Sequence, residues 1–146
     1  MSDPIWNRIL FRDFKPADFP SIHKLWELNN MAGQERGNSA DTILNCNKQG
    51  GKFIILEIPE EKKIIGTSWL TWDGRRIFLH HFCIHPDYRG RGLGELLGRE
   101  SLEFISKKGA QVKLEVHKKN IPAKRLYEKL GFIVFEEYDI YMKRES

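Results

Sequence analysis

A chain of 146 residues, 40% hydrophobic and 30% charged, suits one domain with a single buried core, and this composition is neither that of a disordered nor of a fibrous protein. No apolar run approaches the roughly 18 to 20 residues that span a bilayer, and the opening MSDPIWNRIL lacks the basic start and apolar stretch of a secretory signal, so a cytoplasmic protein with no membrane partner is expected. The net charge of +4 is unevenly placed: residues 89 to 129 hold eleven Lys/Arg against five Asp/Glu, and the other 105 residues hold thirteen against fifteen.

Taken in chain order, RILFRDF (Arg8 to Phe14) reads as a strand and PADFPSIHKLWELNN as a helix with Ile22, Leu25, Trp26 and Leu28 apolar. NNMAGQERGNS is polar and flexible, and Ser39 can cap a short helix, ADTILNCNK. KFIILEI has the continuous apolar character of a buried strand, followed by a turn, PEEKK. IIGTSWLTW is the next strand, and Asp73-Gly74 marks a hairpin into RRIFLHHFCI. Strand 75–84 is apolar on both faces apart from His80 and His81, which marks it as central. A helix follows near Leu93 to Lys107, then a strand, QVKLEVH, and a helix, PAKRLYEKL, stopped by Gly131. FIVFEEYDIYMKR is expected to close the chain as extended structure. The order β-α-α-β-β-β-α-β-α-β predicts an α/β fold, a central mixed and mostly antiparallel sheet flanked by helices, in one domain over residues 1–146. Cys46 and Cys83 match no metal spacing and read as buried free thiols.

The basic segment opens on HPDYRGRGLGELLG, residues 85 to 98. A strand entering a Gly-rich turn and then a helix aims unpaired N–H groups at one spot, where the helix adds about half a positive charge. Phosphate oxygens suit such a site, and glycine lets the backbone approach them. A P-loop would need Lys and Ser/Thr after its last glycine, but Gly94 is followed by Glu95 and Leu96. A dinucleotide fingerprint fails as well, since its third glycine would fall on Glu95 or Leu97. What remains is Arg-x-x-Gly-x-Gly, carried by Arg89, Gly92 and Gly94, with Arg91 adding charge to the rim.

CIHPDYRGRGLGELL resembles the pyrophosphate-binding loop of the GNAT superfamily of acyl-CoA N-acyltransferases, and NIPAKRLYEKLGF (Asn120 to Phe132) resembles that family's Asn-x-x-Ala-x-x-x-Tyr-x-x-x-Gly-Phe segment. The two lie in the family's order, and the inferred elements follow its fold over nearly the whole chain. The resemblance implies acetyl-CoA as co-substrate, held at its pyrophosphate by amides from Gly90 through Arg91, Gly92, Leu93 and Gly94 to Glu95. It also implies that the main chain of Phe82, Cys83 and Ile84 pairs with the pantetheine arm, that Asn120 bonds that arm near Ala123, and that Tyr127 faces the sulfur. Asn120 and Tyr127 are seven apart, two helical turns, so both can face one groove. No metal is implied. Relatives often pair, so a homodimer is compatible with the resemblance.

Acyl transfer to an amine needs a neutral nucleophile. A lysine-like amine, with pKa about 10.4, costs roughly 4 to 5 kcal/mol to deprotonate at pH 7, and an α-amine, near 8, only roughly 1 to 1.5 kcal/mol. Tyr127 is the candidate acid for the leaving thiolate, and His80 leads as base, with His81, a glutamate or an ordered water as alternatives. On a regular strand His80 and His81 point to opposite faces, with His80 on the face of Phe82 and Ile84. At position 80 some polyamine-acetylating relatives carry a glutamate, so the histidine is a departure. Acceptor-selecting residues in the family lie on the first helix, the loop after it and the last strands. Here those segments hold Trp26, Glu27, Asn30 and Glu35, then Glu136, Glu137, Tyr138 and Asp139, an acidic and aromatic set suited to a cationic amine. The expected function is N-acetyl transfer to a small cationic amine, a polyamine or a peptide amino group. A coenzyme-binding module without transfer is the alternative, and the basic segment lacks the interleaved aromatics of a nucleic-acid binder.

Overall fold

The structure is a computed structural model that describes residues 3–32 and 37–144. It comprises two compact units, Met1–Glu115 and Val116–Ser146. The first unit holds β1 (Leu10–Asp13), α1 (Phe19–Leu28), α2 (Ala40–Lys48), β2 (Lys52–Ile58), β3 (Lys63–Trp72), β4 (Ile77–Ile84), α3 (Leu93–Lys108) and β5 (Val112–Leu114), and the second holds α4 (Ile121–Lys129). The sheet order is β1-β2-β3-β4-β5, antiparallel up to β4 and parallel between β4 and β5. This is the mixed, mostly antiparallel α/β sheet that the element order predicts.

Most boundaries follow local chemistry. The Ser39 hydroxyl accepts from the Thr42 amide at 3.1 Å and starts α2 where an N-cap serine should. The Asp73 carboxylate takes the amides of Arg75 and Arg76 at 2.7 and 2.6 Å, so those arginines belong to the hairpin turn and β4 begins later than the apolar run suggests. β5 is three residues long because its pairing with β4 covers only Ile77 to Leu79. Gly109 at φ 68° ends α3 and Gly131 at φ 96° follows α4, both as C-terminal left-handed residues.

Two apolar clusters sandwich the sheet. On one side Leu93, Leu97 and Ile105 of α3 meet Ile54, Leu56, Ile58, Ile65, Leu70, Ile77 and Leu79. Burial at every fourth position of α3 is what a helix lying along a sheet requires. A buried Ser68–Ser101 hydrogen bond of 2.7 Å pins that helix to β3. On the other side Ile22, Leu25 and Trp26 of α1 and Ile43 of α2 cover Phe53, Ile55, Trp69 and Cys83. Each fully buried aliphatic side chain contributes about 1.5–3 kcal/mol, so the position of α3, and with it the turn before it, is strongly determined.

The C-terminal strand expected over FIVFEEYDIYMKR does not form. The five-stranded sheet takes no strand from residues 132–144, and a turn interrupts them at Glu136–Glu137. β-propensity and alternation make a strand only where a ladder partner accepts the backbone groups. Ile133, Val134, Phe135, Tyr138, Ile140, Tyr141 and Met142 are exposed in consequence.

Candidate active site

β4 is the axis of the site. It pairs with β3 along its length as far as Ile84, but its other edge pairs with β5 only up to Leu79. The ladder with β5 stops at Leu79, while β4 itself continues to Ile84. A pantetheine arm would lie alongside this part of β4 as a further extended chain, the arrangement expected at Phe82, Cys83 and Ile84.

A short 3-10 turn, Pro86–Tyr88, links the strand to the glycine turn. Gly90 at φ 76° and Gly92 at φ 78° both occupy the left-handed region, and Gly92 caps α3 without a side-chain hydrogen bond. A Cβ on Gly92 would lie 2.9 Å from the Trp6 ring, so a glycine is required there for space as well as for conformation. The amides of Gly90, Arg91 and Gly92 donate to no protein acceptor among the described residues. Those of Leu93 and Gly94 open the first turn of α3, where no intrahelical acceptor exists. This cradle fits a diphosphate.

The arginines around the turn are already engaged. Arg91 places two hydrogen bonds of 2.6 Å on the Asp3 carboxylate, and that contact holds the Asp3 pKa down at about 2. Arg89 reaches the side-chain oxygen of Asn29 at the end of α1. The Glu95 carboxylate accepts from Arg99 at 3.1 Å. The donors that the turn leaves open are therefore backbone amides, and the charge expected of Arg91 at the rim is answered by Asp3.

The expectation that His80 and His81 face opposite sides of the sheet is corrected by a β-bulge. Thr67 pairs with Cys83 and Trp69 with His80, so Ser68 alone opposes His81 and Phe82. His81 takes φ 44°, a left-handed conformation costing about 1–3 kcal/mol for a non-glycine residue. The extra residue resets the alternation. Both imidazoles then lie on the α1–α2 side, 5.7 and 5.8 Å from the Trp69 ring, while Phe82 and Ile84 turn to the α3 side. Thr67 holds the bulge closed: its hydroxyl donates to the His81 carbonyl at 2.8 Å and accepts from the Trp26 indole at 3.0 Å.

The two histidines have different partners. His80 Nε2 meets the Thr71 hydroxyl at 2.9 Å, and the ring stacks on Phe78 at 4.3 Å. The Thr71 hydroxyl also reaches the Phe78 carbonyl at 3.4 Å, and which of His80 and Thr71 donates follows from the imidazole tautomer. Burial first, and then the neighbouring His81, push the His80 pKa down to about 4. His81 Nε2 donates to the Met31 carbonyl at 3.1 Å and lies 3.3 Å from the Asn38 amide, while its ring packs 4.2 Å from Trp26. Burial lowers the His81 pKa, opposed by the Met31 carbonyl, and Nδ1 is buried without a partner among the described residues. Cys83 is a buried free thiol pushed up to about 11 by burial, and so is not a nucleophile at neutral pH.

Trp26, an expected acceptor contact, is fully buried with its N–H bound to Thr67, so it supports the bulge from beneath. Glu27 is largely exposed on α1 beside His23, and Glu35 lies outside the described residues. In the second unit Asn120 is the N-cap of α4, its Oδ1 accepting from the Ala123 amide at 3.3 Å. Tyr127 stands two turns later, its ring 5.8 Å from Phe132. Sequence patterning did not single out Asp3, Trp6 or Thr67. Asp3-Pro4 carries a local cap signal, but their partners at 91, 92 and 81 are separated along the chain by as many as 88 residues.

Solved structures share this architecture. A Trypanosoma brucei acetyltransferase is 24% identical, with 92% of this chain and 99% of that one covered and a TM-score of 0.71. AAC(6')-Iy, in complex with the bisubstrate analog CoA-S-monomethyl-acetylneamine, is 16% identical over 92% and 97%, with a TM-score of 0.73. The ribosomal-protein-S18-alanine N-acetyltransferase from Escherichia coli is 21% identical over 84% and 76%, with a TM-score of 0.69. Residues 19–132 match the acetyltransferase (GNAT) family, and they include the bulged β4, the glycine turn and α4. On that match the chain belongs to the GNAT acetyltransferase family.

Proposed function

We propose that the chain moves an acetyl group from acetyl-CoA to a primary amine, either a small cationic amine or a peptide amino group, by direct transfer. One observation carries this reading: β4 outruns its ladder with β5, which ends at Leu79, and leads through the short turn Pro86–Tyr88 into the two left-handed glycines and the start of α3. An extended pantetheine arm and a diphosphate are the two ligand chemistries those features suit, in the order in which coenzyme A presents them. The coenzyme A conjugate bound to AAC(6')-Iy supports the co-substrate, and the name of the Escherichia coli enzyme supports a peptide amine as one acceptor class.

Acetyl-CoA supplies the thioester acyl group. The amine nitrogen forms the new C–N bond, the C–S bond breaks, and the departing sulfur takes one proton, which Tyr127 donates from its phenol. The acceptor sheds two protons: the second leaves the nitrogen once the C–N bond has formed and restores the Tyr127 phenol, and the first must leave the ammonium before attack. Parking it on an imidazole of pKa about 4 would cost about 9 kcal/mol from a lysine-like ammonium, whereas release to water at pH 7 costs roughly 4 to 5 kcal/mol. His80 therefore acts as a neutral hydrogen-bonding group that orients the amine, and water carries the proton away.

Incubation with acetyl-CoA and a mixed pool of amines, polyamines and peptides, followed by mass spectrometry, tests the reading. Acetylated product with one thiol released per turnover is expected. Coenzyme A binding with no product from any amine would make the chain a coenzyme-binding module, and no coenzyme binding would overturn the reading altogether.

A further inference from the structure

The residues before β1 are built onto the glycine turn. Pro4–Asn7 form one tight turn whose N-cap, Asp3, accepts from the Ile5 amide at 3.0 Å. Ile5 is buried in the α3-side core and anchors that turn. Asp3 holds the Arg91 guanidinium with two hydrogen bonds. The Trp6 indole N–H donates to the Arg91 carbonyl at 2.9 Å, and the same ring covers the place where a Gly92 side chain would stand.

A trans peptide points its C=O and N–H in opposite directions. Holding the Arg91 carbonyl toward the indole therefore turns the Gly92 N–H away from it, to the open side of the turn. That amide has no acceptor among the described residues. A Gly-rich turn without such a hold would sample other peptide orientations, because glycine populates both signs of φ with similar ease.

The geometry points to Trp6, seated by Ile5 and by the Asp3–Arg91 pair, as a positioning residue that presets the Gly92 amide for the diphosphate of the coenzyme. The inference rests on the coenzyme reading above and extends it to residues 3–6, which lie outside the matched family segment. It also assigns Arg91 to the architecture of the turn, with its charge answered by Asp3.

Binding separates the possibilities. Trp6→Phe keeps an aromatic ring on the turn and removes the indole N–H along with part of the ring. Coenzyme A affinity is measured by calorimetry, and that of pantetheine, which lacks the diphosphate, by NMR titration into the millimolar range. Loss of one neutral hydrogen bond is expected to weaken coenzyme A binding about fivefold and to leave pantetheine binding unchanged. Trp6→Ala is expected to weaken coenzyme A binding further, again sparing pantetheine. Equal weakening of both ligands would mean a general loss of structure and would overturn the inference. Wild-type binding that persists unchanged in Trp6→Phe would overturn it alone, while a wild-type protein that binds no coenzyme A would remove the functional reading first and this inference with it.

Discussion

Substituting Gly92 by alanine combines two separable penalties. The residue sits at φ 78°, ψ 5°, and placing a Cβ in that left-handed region costs about 1–2 kcal/mol. The new methyl would also stand 2.9 Å from Trp6 Cζ2, so the indole must shift and give up its bond to Arg91, a further loss of about 1–2 kcal/mol. Gly90 supplies the internal control, because it has φ 76° with nothing within 4 Å of its would-be Cβ. Gly92→Ala is therefore expected to destabilise by about 2–4 kcal/mol and Gly90→Ala by only about 1–2 kcal/mol. For a chain of this size the first loss lowers Tm by roughly 6–12 °C. Urea unfolding followed by circular dichroism measures both, and a double variant with Trp6→Ala should bring the cost at 92 down to that at 90. Equal costs at the two glycines, or no relief in the double variant, would refute the placement of Trp6 against the turn.

Three further outcomes follow from the site. His80 has its pKa depressed from 6.5 to about 4, so its contribution is complete above pH 6.5 and is lost as pH falls toward 4. Over that window His80→Gln should flatten the pH dependence of urea stability by about 2–3 kcal/mol, and an unchanged slope would show that the imidazole is hydrated in the folded state. Thr67→Val leaves the buried Trp26 N–H and the His81 carbonyl without their partner, and chemical denaturation should register a loss of about 2–4 kcal/mol. Tyr127→Phe should lower kcat for the product found by mass spectrometry about 100-fold while coenzyme A still binds on calorimetry, and full turnover in this variant would remove Tyr127 as the acid.

Much of the fold is local information. Ser39 before Ala40, the Asp73-Gly74 turn, the buried stripe from Leu93 to Ile105 and the glycine turn ahead of it are each readable from a few neighbouring residues, because capping, turn chemistry and helical period act over one or two turns. The motifs at 85–98 and 120–132 carried the family for the same reason. Tertiary pairing decided the rest. Residues 132–144 have strand composition, yet they enter no ladder, since strand formation depends on a partner that local sequence does not specify. The alternation of β4 predicts one histidine per face, but a single extra residue opposite Ser68 moves both to one side. Bulges and long-range contacts such as Trp6 on Arg91 arise where distant backbones must be reconciled around a shared core. The sequence by itself determined which segments coil and turn, because those choices are made over a few neighbouring residues, and only the tertiary structure decided which side chains face one another along β4.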